Sequence, residues 1–173
     1  NGEGDFKLSD VDLSNANLSG VILCEVDLSN SNLSGANLNG ADLSGANLSG
    51  ANLQGADLSD ADLTWTNLQD ANLSNSKLNS AKLIGLKLSQ IDLTEVLLYG
   101  VDLSEADLRE SDLSGVNLTN ANLTSAKLRG ANLSNADLTK ATMLNKANFT
   151  NIKYNHDTIF PPHFTPPPSR KDS

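Results

Sequence analysis

The chain has 173 residues, 38% of them hydrophobic and only 4% aromatic, with 21 acidic against 12 basic side chains and a formal charge of -9. That length suits one domain, and the scarcity of aromatics excludes a core of mixed large side chains. The surplus of carboxylates excludes a general nucleic-acid binder, which needs cations to displace counterions. Apolar runs are too short for a membrane-spanning helix, and the single cysteine, Cys24, excludes an intramolecular disulfide.

In chain order, residues 1–5 read as a lead-in with no leader pattern. A repeat then takes over. Leu occupies every fifth position from Leu8 to Leu138, 27 times without a gap, and Met143 is expected to continue the series. Two residues before each of these sits a small or β-branched side chain, Ala in 15 of the 28 positions from Phe6 to Ala141. Asp or Asn immediately precedes the central residue in 20 of 28 repeats; Ser or Thr commonly follows it, and then Gly, Asn, Asp or Ser.

A helix cannot use this spacing, because five residues turn it by roughly 500°, so the Leu residues would spiral around it. A continuous strand cannot use it either, since an odd period sends successive Leu residues to opposite faces. A corner in each repeat removes the conflict by resetting the alternation. Leu and the small residue two before it then point inward, while Asp or Asn and the following Ser or Thr face water. Gly, Asn and Asp after them suit the turn. The expected object is a coil of very short strands around a Leu-filled axis, stable through the stacking of its neighbours.

Stretches such as Ala41-Asp42-Leu43-Ser44-Gly45 and Ala51-Asn52-Leu53-Gln54-Gly55 resemble the A(D/N)LXX consensus of the pentapeptide-repeat proteins. The resemblance implies an all-β fold, a right-handed quadrilateral β-helix with four pentads per coil. About seven coils would fill residues 6–143 and, at roughly 4.8 Å each, make a rod of about 34 Å.

Departures from the repeat are the places to look for function. Leu86, Ile91, Val96 and Val101 are four successive large residues at the small inner position and read as local core filling. Apolar residues at outward positions are Ile22, Ile84, Leu97 and Tyr99, with Trp65 at a corner. Of these, Trp65, Ile84, Leu97 and Tyr99 form the candidate partner-binding set, on the reasoning that a rimmed apolar patch marks an interaction site. Nine acidic residues and no basic one lie between Leu8 and Ser76, after which Lys77, Lys82 and Lys87 occupy three successive outward positions. Asp42 is expected under Asp62 and Asp92 under Asp112, as a solvated acidic face rather than a calcium site.

The frame slips after Ala141, and Phe149, Tyr154 and Ile159 are expected to continue as centres of a degraded coil over residues 144–164. Asn155-His156-Asp157-Thr158-Ile159-Phe160-Pro161 resembles the segment that ends such repeats, and with Phe164 it reads as a cap. Residues 165–173 read as a proline-rich disordered tail.

No catalytic pattern accompanies the repeat. His156 and His163 lack metal-ligand spacing, Cys24 has no base beside it, and no phosphate loop or nucleophile elbow occurs. A straight filled rod is expected to have no deep cleft. The resulting expectation is a non-catalytic scaffold or protein-binding module with an unidentified protein partner, no cofactor, no metal, no direct nucleic-acid contact and no membrane insertion. It would be a monomer or a weak dimer through an end of the rod. The thylakoid lumen, periplasm and cytoplasm all fit. The alternative, implied by the quinolone-resistance members of the family, is an acidic rod that mimics DNA and inhibits an enzyme such as gyrase. Leu rather than Phe at the centres, a short rod, a tail without helical character and the three lysines count against it.

Overall fold

The computed structural model describes residues 8–169, and the lead-in 1–5 and Phe6 lie outside them. Parallel one-residue bridges join positions 20 apart, from Asp12 with Asn32 to Asn122 with Thr142, so each coil is four pentads. The fold is a right-handed quadrilateral β-helix. Seven coils run over residues 8–25, 26–45, 46–65, 66–85, 86–105, 106–125 and 126–145 (coils 1 to 7). Their four faces are named A to D from the Leu each carries in coil 1: Leu8, Leu13, Leu18 and Leu23.

The corner explains the period. In most pentads the N–H three residues after Leu donates to its carbonyl, as Ala46 N does to Leu43 O at 3.0 Å. The residue two after Leu has positive φ in 26 of the 27 pentads from Asp10 to Lys140, at 56–75°; Glu95 is the exception. This is the sign pattern of a type II turn, which favours Gly and Asn at that place. The Asp or Asn before Leu then does more than face water. Its Oδ1 accepts the N–H two residues on, as Asp42 does from Ser44 at 3.0 Å, and so braces the corner.

Coils are joined by backbone bonds such as Leu43 N to Asp62 O at 2.8 Å and Asp42 N to Val21 O at 2.9 Å. Side-chain amides add a second ladder outside the first. Asn32 donates to Asp12 at 3.1 Å, Asn52 to Asn32 at 3.4 Å and Asn72 to Asn52 at 3.3 Å, one above another on face B. Inside, the Leu of coils 2 to 7 are buried with their Ala neighbours. Leu8, Leu13, Leu18 and Leu23 are only half-buried, because nothing among the described residues covers the first coil.

The other end is closed, by a route that differs from the expected one. Met143 does not continue the Leu column: it takes φ 59 and stays 49% exposed, while Leu144, in a 3-10 turn Leu144–Lys146, goes inward in its place. Pairing shifts accordingly from 20 to 21 residues (Lys127 with Asn148) and then to 22 (Asp137 with Ile159). The second insertion turns Ile159 outward and leaves the inner position to Phe160. Phe149, Tyr154, Phe160 and Phe164 form one aromatic lid, with Tyr154 and Phe160 edge to face at 5.3 Å. The segment expected to begin a loose tail is tied to this lid: Tyr154 Oη donates to Pro167 O, and Ser169 Oγ both accepts from Tyr154 N and donates to Tyr154 O, each at 3.0 Å.

Two outcomes test this packing. Leu58 has no exposed surface, so Leu58→Ala should lower the unfolding free energy by about 2–5 kcal/mol in chemical denaturation. Asp112 lies over Asp92, accepts from Ser114 N at 2.9 Å and from Asn132 at 3.0 Å. Asp112→Asn keeps both acceptor roles and adds a donor toward Asp92, so it should stabilise by about 0.5–1 kcal/mol, whereas Asp112→Ala should destabilise by about 1 kcal/mol or more.

Candidate functional site

The four apolar candidates fall into two groups. Leu97 and Tyr99 share face C of coil 5 and are 49% and 47% exposed. Tyr99 is held along the rod, its N–H donating to Asn79 Oδ1 at 3.1 Å and its hydroxyl accepting from Asn120 Nδ2 at 2.7 Å. Trp65 and Ile84 meet at the corner between faces D and A, where Trp65 N donates to Ile84 O at 3.1 Å. Ile84 is half-buried, and the width of face D separates this pair from Leu97 and Tyr99. Ile22, 74% exposed, stands apart on coil 1.

Trp65 is the most unusual of the set. It holds φ 59, a conformation costly for any bulky side chain, and is 63% exposed. Its indole lies across Gly85, the equivalent corner one coil on; a Cβ there would come within 2.3 Å of the ring. Gly85 is thus required twice, by its own φ of +69 and by the tryptophan over it.

Beside Trp65 the rod opens. Among the described residues every face is bridged from coil 1 to coil 4, but the pairs Asn67 with Lys87 and Asn72 with Asp92 are missing. Pairing survives on faces C and D, at Lys77 with Leu97 and Lys82 with Asp102. The result is a cleft of about 940 Å³, floored by Leu68, Ala71 and Ile91 and rimmed by Trp65, Asp70 and Lys87. This corrects the expectation of a rod without a cleft.

The cause is the layer of large inner residues. Leu86, Ile91, Val96 and Val101 stack over Thr66, Ala71, Ser76 and Ala81, and the added volume forces coil 5 away from coil 4 on two faces. Three of the four are buried, so they do fill the core, but Ile91 is only partly covered. The buried hydroxyl of Ser76, under Val96 of this layer, has no partner among the described residues, where Ser31 and Ser111 at the same inner position donate to Leu28 O and Leu108 O. A second missing pair, Leu97 with Asn117, lies above coil 5, beside the one corner that lacks a positive φ. The signal for all this was visible as four large residues in succession over four small ones; Gln69, Asp70 and Gln90, which line the cleft, carry no signal of their own.

Several of the charged groups pair with one another along the rod. Lys77 pairs with Asp57 at 3.2 Å and Lys82 with Asp62 at 2.9 Å, one coil below each. Both pairs are exposed and contribute little stability. Partial burial works against ionisation of Asp57 and Asp62, yet bonds from Ser59 and Thr64 and from the two lysines outweigh it and hold both carboxyls below their ordinary range. Arg109 forks onto Asp107, with Nε and Nη2 each at 2.7 Å, and depresses that carboxyl too. Cys24 is exposed, and His156 Nε2 lies 3.3 Å from Asp157 Oδ2. Among the described residues no His, Cys, Asp and Glu side chains are grouped to hold a metal ion, and no helix is long and apolar enough to cross a membrane.

The pentapeptide-repeat family model matches residues 7–45, 46–83, 56–94, 76–115 and 117–153, in eight copies. Full-length QnrB1, a plasmid-mediated fluoroquinolone resistance protein, shares the fold with a TM-score of 0.60 at 20% identity, over 84% of this chain and 80% of that one. HetL, a protein involved in heterocyst differentiation regulation from the cyanobacterium Nostoc sp. strain PCC 7120, is 31% identical over 90% of both chains, with a TM-score of 0.39. A protein of the Arabidopsis thaliana thylakoid lumen is 28% identical over 79% of this chain and 70% of its own, with a TM-score of 0.29. No curated protein matches the chain. The repeat read from the sequence, the four-pentad coil and the matched segments agree: the chain belongs to the pentapeptide-repeat family.

Proposed function

We propose that the chain is a non-catalytic, rigid rod that presents side chains to a protein partner. The observation that carries this reading is where the exposed apolar groups stand. Trp65, Leu97 and Tyr99 sit near the middle of the rod on a surface that is mostly polar, with Ile84 beside Trp65. Aromatic side chains are favoured anchors of protein interfaces, since they bury large area at low entropic cost. Trp65 supports the reading further, because it holds a strained corner conformation and still leaves most of its surface exposed. A rod whose interior is closed by stacked Leu has its chemistry on the outside, and among the described residues no His, Cys, Asp and Glu side chains are grouped there, which favours binding over catalysis.

The DNA-mimic reading has less support. Mimicry needs an uninterrupted run of negative charge, and Lys77 and Lys82 neutralise Asp57 and Asp62 on two adjacent faces. On the present proposal the chain leaves gyrase supercoiling unaffected at low micromolar concentration.

Two measurements check the proposal. Cross-linked pull-down from source extract with wild type and with the Leu97→Asn/Tyr99→Ser variant should capture a protein that the variant loses, circular dichroism being unchanged. Identical capture by both would remove Leu97 and Tyr99 from the interface. Trp65→Gly should change the unfolding free energy by no more than about 1 kcal/mol, since relief of the left-handed strain offsets the lost contact with Gly85. A loss of the roughly 3–5 kcal/mol typical of a core tryptophan would make Trp65 a structural residue instead.

A further inference from the structure

The cleft between coils 4 and 5 has a feature that the exposed side chains do not share: it displays unpaired backbone. In every coil below it, the N–H of Leu and of the corner residue donates upward, as Leu48 N does to Asn67 O at 2.8 Å and Gly50 N to Gln69 O at 2.8 Å. The equivalent donors Leu68 N, Asp70 N and Leu73 N have no such partner among the described residues. Facing them, the N–H groups of Lys87 and Asp92 lack the acceptors that Thr66 O and Ala71 O would supply. Two edges of peptide groups therefore look at each other across an open space, against a floor of Ala71 and Ile91 and beside the indole of Trp65.

Such an edge is a template. Buried or half-buried peptide groups left without partners are costly, and an exposed strand edge accepts another strand in preference to other ligands. From this we infer that the cleft is a docking site for an extended peptide segment of a partner protein, which pairs with the open edge of coil 4 at Leu68, Asp70 and Leu73. The inference rests on the reading of the chain as a protein-binding rod and names the kind of partner.

The geometry restricts the segment further. Face A offers only a short straight edge before the corner at Asp70, and the next open donor, Leu73 N, lies beyond it on face B. A segment that satisfies both must run extended for three or four residues and then turn. It needs a residue that tolerates positive φ at the bend, Gly, Asn or Asp. Ahead of the bend, a β-branched or aromatic residue would lie over Leu68 and against Trp65. Lys87, which makes no ion pair among the described residues, stands at the mouth and favours an acidic residue at the segment's outer end.

The test uses the full chain and a displayed library of peptides about ten residues long. Hydrogen exchange of the free chain comes first: the amides of Leu68, Asp70, Leu73, Lys87 and Asp92 should exchange far faster than those of Leu78 and Leu83, which donate to Leu97 O and Asp102 O. Equal protection would mean a closed ladder and would overturn the inference. Selected peptides should carry Gly, Asn or Asp after a β-branched or aromatic residue, slow exchange at those five amides and shift Trp65 fluorescence. N-methylation of alternate peptide amides should weaken binding at least about tenfold in one register and not in the other. Leu86→Ala/Ile91→Ala, which lets coil 5 settle onto coil 4, should weaken binding at least about tenfold. Because that variant removes core volume, Trp65→Gly serves beside it, with binding weakened and folding kept. Peptides that bind without protecting these amides, or a library that yields nothing above the Leu86→Ala/Ile91→Ala control, would overturn the inference and leave a solvated crack. A partner captured through Leu97 and Tyr99 with the cleft silent would sink this inference alone.

Discussion

A five-residue period in a chain whose side chains alternate every two residues is workable only if something in each repeat reverses the parity, and the left-handed corner is that device. Positive φ two residues after each Leu sends the chain round so that the next Leu again points to the axis. Sixteen of these corners are held by residues other than Gly, each at a cost of roughly 1–2 kcal/mol for most side chains. The cost is spread along the rod, and the compensation is equally spread. Most corners have a carbonyl bonded by the N–H three residues on and an Asp or Asn brace, while each coil covers the Leu layer of its neighbour.

Uniform spacing between coils leaves little tolerance for volume. The inner position two before Leu is Ala in most of the rod because two backbones must pass within bridge distance above and below it. Coil 5 breaks that condition on all four sides with Leu86, Ile91, Val96 and Val101. The rod keeps its bridges on faces C and D below this coil and gives them up on faces A and B, so the misfit is concentrated into one opening rather than shared. The strained Trp65 and the irregular corner at Glu95 lie next to the two places where bridges are lost. A repeat that is otherwise regular thus acquires one locality unlike the rest.

Much of this architecture was legible in the residues. The Leu column, the inward Ala and the corner all follow from period and parity, and the four-pentad coil followed from the resemblance. Less legible was anything set by a mismatch between coils. The succession from Leu86 to Val101 was seen but read as filling, because one layer's volume matters only against the layer beneath it. At the C-terminal end the slip was placed after Ala141, yet Met143 and Ile159 were given inner positions that Leu144 and Phe160 occupy. Two single-residue insertions look like noise in a sequence; only pairing at 21 and 22 residues reveals them as separate steps. The brace formed by Asp and Asn was likewise hidden, since a polar residue facing water and one bonded to its own corner have the same composition.

The outer amide ladder carries a direction. Asn32, Asn37, Asn47, Asn52, Asn67, Asn72, Asn122 and Asn132 all donate to the residue 20 places earlier, as Lys77 and Lys82 also do. Each column therefore has a grammar: Asp can begin it, Asn can extend it, and Lys77 and Lys82 answer Asp57 and Asp62, whereas Asp42 and Asp92 lie under a second Asp. It also gives the rod poles. In each pair the amide nitrogen points toward the N-terminal end of the rod and the oxygen that receives it toward the C-terminal end. Two rods set head to head would meet with the ladder reversed, so a symmetrical pairing of ends does not continue the direction that joins one coil to the next.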